Sequence, residues 1–260
     1  MNSDFYFSIG KSHMICQDYA YAGINANGNP VAIVSDGCSA SPETDFGSRY
    51  LVRSSVICGA TVGNPEEDKL FSDVLMRTTI GYASQCGIGL RLSPQCLDAT
   101  LLYLEVKGDE VIIVVGGDGV VFAKNKKNED LELWNIEYPS GSPFYPSYLL
   151  DNARFEHYRE SCSMERITYA TNKYSSKDIT ESQFYTITLQ KNEYEFVGVA
   201  SDGVLTFEES FVDTMKELTA YKNYTGEFVK RRMRKHLRKC EKESSLPSDD
   251  VSMAVVYLED

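Results

Sequence analysis

The sequence predicts an α+β fold in which two antiparallel sheets pack as a sandwich flanked by pairs of helices. Three observations carry this expectation. Strand-like and helix-like segments come in blocks instead of alternating one by one, which disfavours a parallel doubly wound sheet. Several strand segments, such as the run Val111, Ile112, Ile113, Val114, Val115, are apolar on both faces and need cover on both. The hydrophobic period also switches to a helical one after Ser41-Pro42-Glu43 and returns to strand character near Ala99.

In chain order, short apolar pieces at 5–9, 18–24 and 31–35 read as strands. The turn Asn25-Ala26-Asn27-Gly28-Asn29-Pro30 joins the last two as a hairpin. Phe46, Tyr50, Leu51 and Ile57 recur at helical spacing up to Gly59, and 66–85 suits a second helix. Strands return at 99–106, 110–115 and 120–123, joined by Lys107-Gly108-Asp109 and Gly116-Gly117-Asp118-Gly119. The aromatic, proline-bearing stretch 138–159 reads as loop with a short helix. It suits an active-site lid or a packed surface loop equally. Further strands are expected at 166–170, 184–189 and 194–200, helices at 208–221 and 225–240, and a closing strand at 251–258.

Length and composition narrow the class. A chain of 260 residues fits a single domain over 1–260 and buries enough surface to need no disulfide or metal merely to fold. No apolar run approaches the ~20 residues of a membrane helix. The first residues have neither a basic nor an apolar signal region, so a cytoplasmic location is expected. With 38 acidic against 26 basic residues the net charge is -12, which argues against nucleic acid and anionic membranes as partners and tolerates cations. Seven scattered cysteines without a C-x-x-C fit neither a disulfide framework nor a zinc site, and agree with a reducing compartment.

The informative feature is a set of aspartates where apolar strands end. They are Asp18, Asp36 in Val34-Ser35-Asp36-Gly37, Asp118 in Gly117-Asp118-Gly119, Asp202 in Ala200-Ser201-Asp202-Gly203, and the pair Asp249-Asp250 before Val251. Any one alone reads first as turn chemistry. Converging together, such carboxylates repel each other and ionise together only around cations. Carboxylate, carbonyl and water oxygens are the ligands that Mg²⁺ and Mn²⁺ prefer.

These ordered motifs resemble those of protein phosphatase 2C, the metal-dependent protein serine/threonine phosphatases, over nearly the whole chain, and suggest a divergent bacterial-type member. The resemblance implies a four-layer α-β-β-α sandwich with a binuclear Mg²⁺ or Mn²⁺ centre. It implies that Asp36 bridges both metals with the Gly37 carbonyl on one of them, and that Asp202 and Asp249 complete one metal's shell. Asp18 would hold a metal-bound water, and Asp118 matches the aspartate used for a third, weaker metal. Asp250 stands where Asn is common and ranks below Asp249. The implied reaction is hydrolysis of phosphoserine or phosphothreonine in proteins by a metal-bridged water attacking in line. The implied partners are a phosphorylated protein substrate and a Ser/Thr kinase or its targets, with the chain itself a monomer.

Departures bear on substrate grip. His13 stands where many members have a phosphate-binding Arg, Gln17 where others have Glu, and Cys38 where animal members have a His that protonates the leaving group. Thr206 replaces an Asp, and 139–146 occupies the place of a motif resembling L-A-V-S-R-x-x-G-D. His13, Lys11 and Arg49 are the candidate cations for substrate binding. A catalytically weak pseudophosphatase acting as a phosphoprotein-binding or scaffold module is the alternative function. Gly116-Gly117-Asp118-Gly119 matches no nucleotide loop, and no G-x-S-x-G accompanies the three histidines. The basic run 230–239 reads first as the solvated face of an amphipathic helix, then as a docking site for an acidic or phosphorylated partner.

Overall fold

The computed structural model describes residues 1–59, 68–162, 165–170, 173–178 and 184–259, with only the backbone of 68–70, 169–170 and 173–178 described. In chain order the elements are β1 (Ser3–Ser8), β2 (Tyr19–Ile24), β3 (Pro30–Ser35), α1 (Thr44–Cys58), α2 (Asp68–Gly89), β4 (Leu101–Lys107), β5 (Glu110–Gly116), β6 (Gly119–Asn125) and β7 (Leu131–Glu137). There follow α3 (Asn152–Ser161), β8 (Glu165–Ala170), β9 (Lys173–Asp178), β10 (Tyr185–Gln190), β11 (Tyr194–Ala200), α4 (Phe211–Thr219), α5 (Phe228–Glu243) and β12 (Val251–Tyr257). Short 3-10 turns lie at Pro94–Leu97, Pro146–Leu150, Lys191–Glu193 and Asp202–Leu205.

The strands form two sheets, ordered β1-β12-β11-β6-β7-β8-β9 and β10-β5-β4-β3-β2. Each described pairing is antiparallel. Three cores fill the spaces between four layers. Ala32, Val34, Leu102, Leu104, Val197, Val199, Ala254 and Val256 meet between the sheets. Leu51, Leu75, Met76 and Ile80 cover the outer face of the smaller sheet. Met215, Leu218, Val229 and Met233 cover the larger one. This is the α+β sandwich that the two-faced apolar strands require.

Local chemistry sets the boundaries. The Asn25 side chain accepts the N–H groups of Asn27 and Asn29, both at 3.0 Å, and closes the β2–β3 hairpin. Ser210 caps α4 through the Asp213 N–H at 3.3 Å, so that helix starts three residues later than its spacing alone suggests. The helix expected at 225–240 begins at Phe228, because Gly226 at φ +58° is not helical, and it runs on to Glu243. Residues 66 and 67 of the second expected helix lie outside the described residues. Two strands are illegible in the sequence. β7 does not alternate cleanly, burying Leu133, Asn135 and Ile136. β9, KYSSKD, has almost no apolar pattern and is a strand because β8 pairs with it.

The 138–159 stretch is packed, not open. Phe144 is fully buried, with its ring centroid 5.5–5.7 Å from those of Tyr148, Phe155 and Tyr158. Asp98 anchors the stretch: both carboxylate oxygens accept Arg154 Nη2, at 2.9 and 2.8 Å. They also accept the hydroxyls of Ser147 and Ser41, each at 2.8 Å. Removing one partner of such a pair strands the other, so Asp98→Ala should lower stability by about 3–5 kcal/mol in urea unfolding. A loss under about 1 kcal/mol, the worth of an exposed pair, would mean that the ring cluster alone holds this segment.

Candidate active site

Strand register brings the aspartates to one end of the sandwich. In the larger sheet Ser8 pairs with Val251, and Ala200 pairs with both Met253 and Val120. The residues just past β1 and β11 therefore sit beside those just before β12 and β6. In the smaller sheet Tyr19 pairs with Ser35, and Leu101 with Gly116. Asp18, Asp36, Asp118, Asp202 and Asp249 all stand at that end.

Hydrogen bonds past the strand ends hold Asp36, Asp18, Asp202 and Asp249 in place. Asp36 donates its N–H to Thr100 Oγ1 at 3.0 Å and accepts the Thr100 N–H at 2.8 Å, and Gly37 bridges Ala99. Asp18, fully buried, accepts the Ser201 hydroxyl at 2.7 Å. Ser201 in turn accepts the Ser252 N–H at 3.0 Å. Asp202 opens a 3-10 turn whose Thr206 hydroxyl donates to the Gly203 carbonyl at 2.9 Å and accepts the Asp249 N–H at 3.3 Å. Thr206, which departs from the family pattern, thus orients Asp249. Two glycines permit the close approach: a Cβ on Gly203 would lie 1.7 Å from the Asp250 carbonyl oxygen, and one on Gly10 would lie 2.2 Å from the Asp249 carbonyl carbon.

Asp250 has a different task from its neighbour. It is 1% exposed and accepts the Gly10 N–H at 2.8 Å and the Gln17 N–H at 2.6 Å. It also lies 3.2 Å from His13 Nδ1, while Asp249 lies 3.6 Å from His13 Nε2. These contacts clamp both ends of the 10–17 loop and leave Asp249 as the freer carboxylate. His13 is drawn into the acidic cluster. Burial alone would lower its pKa, but the close contact with Asp250 and the charges of Asp250, Asp249 and Asp18 raise it overall.

Electrostatics set the character of the site. Burial, only partly offset by the Ser201 hydrogen bond, pushes Asp18 up to about 7. Burial and the neighbouring charge of Asp202 push Asp118 up to about 8. Asp36 lies well above the usual carboxylate range, because it is buried and faces both Asp18 and Asp202. Burial also raises Asp202. Asp18 Oδ1 and Asp202 Oδ1 are buried without a hydrogen-bond donor. Orphaned, mutually repelling carboxylate oxygens have the chemistry that suits hard divalent cations. Even so, among the described residues no three His, Cys, Asp or Glu side chains stand close enough to hold one ion, so waters and the Gly37 carbonyl would have to complete its shell.

The other candidates are spread around this centre. Arg49 lies over the rings of Tyr19 and Phe7, with its guanidinium carbon 5.0 and 5.8 Å from their centroids. Lys11 is exposed, and its N–H donates to the Pro247 carbonyl at 3.0 Å. Cys38 donates its N–H to the Asp98 carbonyl at 2.8 Å. Its side chain neighbours Tyr145, an aromatic of the 138–159 stretch that spacing does not single out. Burial first, then the Cys38 contact and the charges of Asp118 and Asp36, keep the Tyr145 phenol protonated well above its ordinary pKa. The signal that could have found it is the Pro146 that follows it, which opens a turn anchored by Ser147 to Asp98.

Comparison with known proteins agrees with this architecture. A family model described as protein phosphatase 2C matches residues 9–240. A serine/threonine phosphatase from Staphylococcus aureus superposes with a TM-score of 0.60 at 14% identity, covering 100% of this chain and 96% of that one. The serine/threonine phosphatase of S. agalactiae gives 0.59 at 15% identity, covering 99% of each chain. A serine-threonine phosphatase 2C from Toxoplasma gondii gives 0.56 at 12% identity, covering 98% and 94%. No curated protein sequence matches the chain at a significant level.

Two outcomes follow from this geometry. Asp250→Ala leaves two backbone N–H groups unsatisfied and should cost about 2–4 kcal/mol in urea unfolding, with Asp250→Asn restoring part of it. Equal stability of Asp250→Ala and the wild type would refute the clamp. In the metal-free protein Asp18, Asp36 and Asp118 keep protons that the unfolded chain releases near pH 4. Their stabilisation is therefore complete at low pH and lost as pH rises from about 4 to about 8. Unfolding midpoints should fall across that window in EDTA, and Asp36→Asn should flatten the fall. A slope unchanged in Asp36→Asn would show that the cluster does not carry these protons.

Proposed function

The chain belongs to the protein phosphatase 2C family, and from that premise we propose that it hydrolyses phosphoserine and phosphothreonine in proteins with Mg²⁺ or Mn²⁺ as cofactor. The observation that carries the reading is the convergence of Asp18, Asp36, Asp118, Asp202 and Asp249 at one end of the sandwich, with buried oxygens lacking donors. Asp36, Asp202, Asp249 and the Gly37 carbonyl would hold two cations, with Asp18 orienting a water and Asp118 available to a third ion. When bound, the cations supply a nucleophilic water of lowered pKa and neutralise charge on the phosphoryl oxygens.

The chain's own groups do the rest. His13 stands where the missing Arg would, but its two ring nitrogens face Asp250 and Asp249, so it would grip phosphate only after turning away from one of them. Tyr145, protonated and beside Cys38, offers an O–H donor where the leaving oxygen gathers charge. All seven cysteines are free, which supports a reducing compartment. A kinase that phosphorylates the same proteins is the complementary activity this reading requires.

The deciding experiment is phosphate release from a phosphothreonine peptide with Mn²⁺, Mg²⁺ or EDTA. Turnover should need the metal and fall at least about a hundredfold in Asp36→Asn and Asp202→Asn. Turnover that persists in EDTA or in both variants would contradict the reading. Peptide binding without turnover by the metal-loaded protein would favour the scaffold alternative. Tyr145→Phe should lower kcat roughly ten- to a hundredfold with little change in KM, the worth of one hydrogen bond to a charged group. An unchanged kcat would remove Tyr145 from the reaction.

A further inference from the structure

The strongest charge asymmetry of the molecule lies outside the carboxylate site. α5 carries eight lysines and arginines against two glutamates, whereas the other 244 residues carry 36 acidic groups against 18 basic ones. The apolar face of α5, Phe228, Val229, Met233 and Cys240, is spent in the core against the larger sheet. The opposite face is two rows of like charge at i, i+4: Lys230, Arg234, Arg238, Lys242, and beside them Arg231, Lys235, Lys239. Such rows repel along a helix and work against its stability.

The acidic surplus of the chain does not neutralise the middle of this face. Its edges are paired: Lys230 with Glu227 at 2.7 Å, Arg232 with Glu217 at 2.7 Å and Lys239 with Glu209 at 2.8 Å. Arg231 is tied to the Thr225 carbonyl at 2.8 Å and to Asn223 at 3.0 Å. Arg234, Lys235, Arg238 and Lys242 are exposed, and among the described residues none has an acidic partner. With Lys230 they line one continuous surface depression. The free cations thus form a strip about 12 Å long, from 234 to 242, on this 16-residue helix. Only residues 244–248 separate its C-terminal end from Asp249, a span of at most about 20 Å.

We propose that this strip docks an acidic segment of the phosphoprotein substrate and delivers the phosphoresidue to the carboxylate site. The substrate part rests on the phosphatase reading; the docking part does not. A short acidic peptide fits better than the other polyanions. Long nucleic acid and an anionic bilayer would both meet the strongly negative remainder of the surface, and the buried apolar face leaves α5 nothing to insert into lipid. A peptide a few residues wide stays within the roughly 8 Å over which the strip's field acts at physiological salt.

The test compares two phosphothreonine peptides that differ only in a tract of six glutamates or six glutamines, placed four to eight residues from the phosphothreonine. With Mn²⁺ at low salt, the acidic peptide should show kcat/KM roughly tenfold higher, through KM, and lose that advantage in 0.5 M NaCl. The variant Arg234→Glu/Lys235→Glu/Arg238→Glu should lose it at any salt while hydrolysing p-nitrophenyl phosphate like the wild type. The milder Arg234→Gln/Lys235→Gln/Arg238→Gln should lose most of it. Fluorescence anisotropy of the unphosphorylated acidic peptide separates the two readings: it should bind wild type and not the variants, even if no peptide is hydrolysed. Equal kcat/KM for both peptides, or acidic-peptide binding unchanged in both triple variants, would overturn the proposal. So would tighter binding to a short DNA duplex or to phosphatidylserine vesicles than to the peptide.

Discussion

The repulsion among carboxylates at one end of the sandwich is the constraint around which the rest of the structure is arranged. Five aspartates are brought there by strand register, and burial raises the protonation of four of them. Nothing in that cluster favours its own assembly without protons or cations. The opposing force is the β-sandwich, whose paired apolar strands lock the backbone on which each carboxylate stands. The strand ends are then zippered further by Asp36 with Thr100 and by Ser201 with Ser252. Rigid strands thereby hold a poised acidic site that a looser scaffold would let spread apart.

The departures from the family pattern fall into a connected set when seen in three dimensions. Asp250, in place of Asn, takes up His13, which stands in place of Arg, and at the same time ties both ends of the 10–17 loop. Thr206, in place of Asp, holds the Asp249 backbone. Cys38, in place of His, meets Tyr145 from the segment that Asp98 straps down. Each lost side chain therefore has a neighbour that reshapes the same spot.

Much of this was legible in one dimension, for identifiable reasons. A β-branched run followed by Asp-Gly marks both a buried strand and its exit, so the strands ending at Ser35 and Ala200 and the aspartates after them could be read together. The order of those motifs made the family recognisable. Two strands were hidden because tertiary pairing outweighs pattern: β7 buries Asn135 among its apolar residues, and β9 has little apolar surface. Helix ends were off by a few residues where Ser210 and Gly226 act locally. Contacts between distant residues left no trace in spacing. The Asp250 clamp spans 240 residues to Gly10, and the Tyr145 contact with Cys38 depends on how the 138–159 stretch packs.

On this reading the gathered carboxylates are a cation site whose mutual repulsion is relieved by protons in the metal's absence. Calorimetric titration of Mn²⁺ into the EDTA-stripped and dialysed protein at pH 7, in two buffers of different ionisation enthalpy, tests it most directly. Saturable binding with net proton release is expected, and loss of both in Asp36→Asn. Binding without proton release, or the same binding in Asp36→Asn, would contradict it.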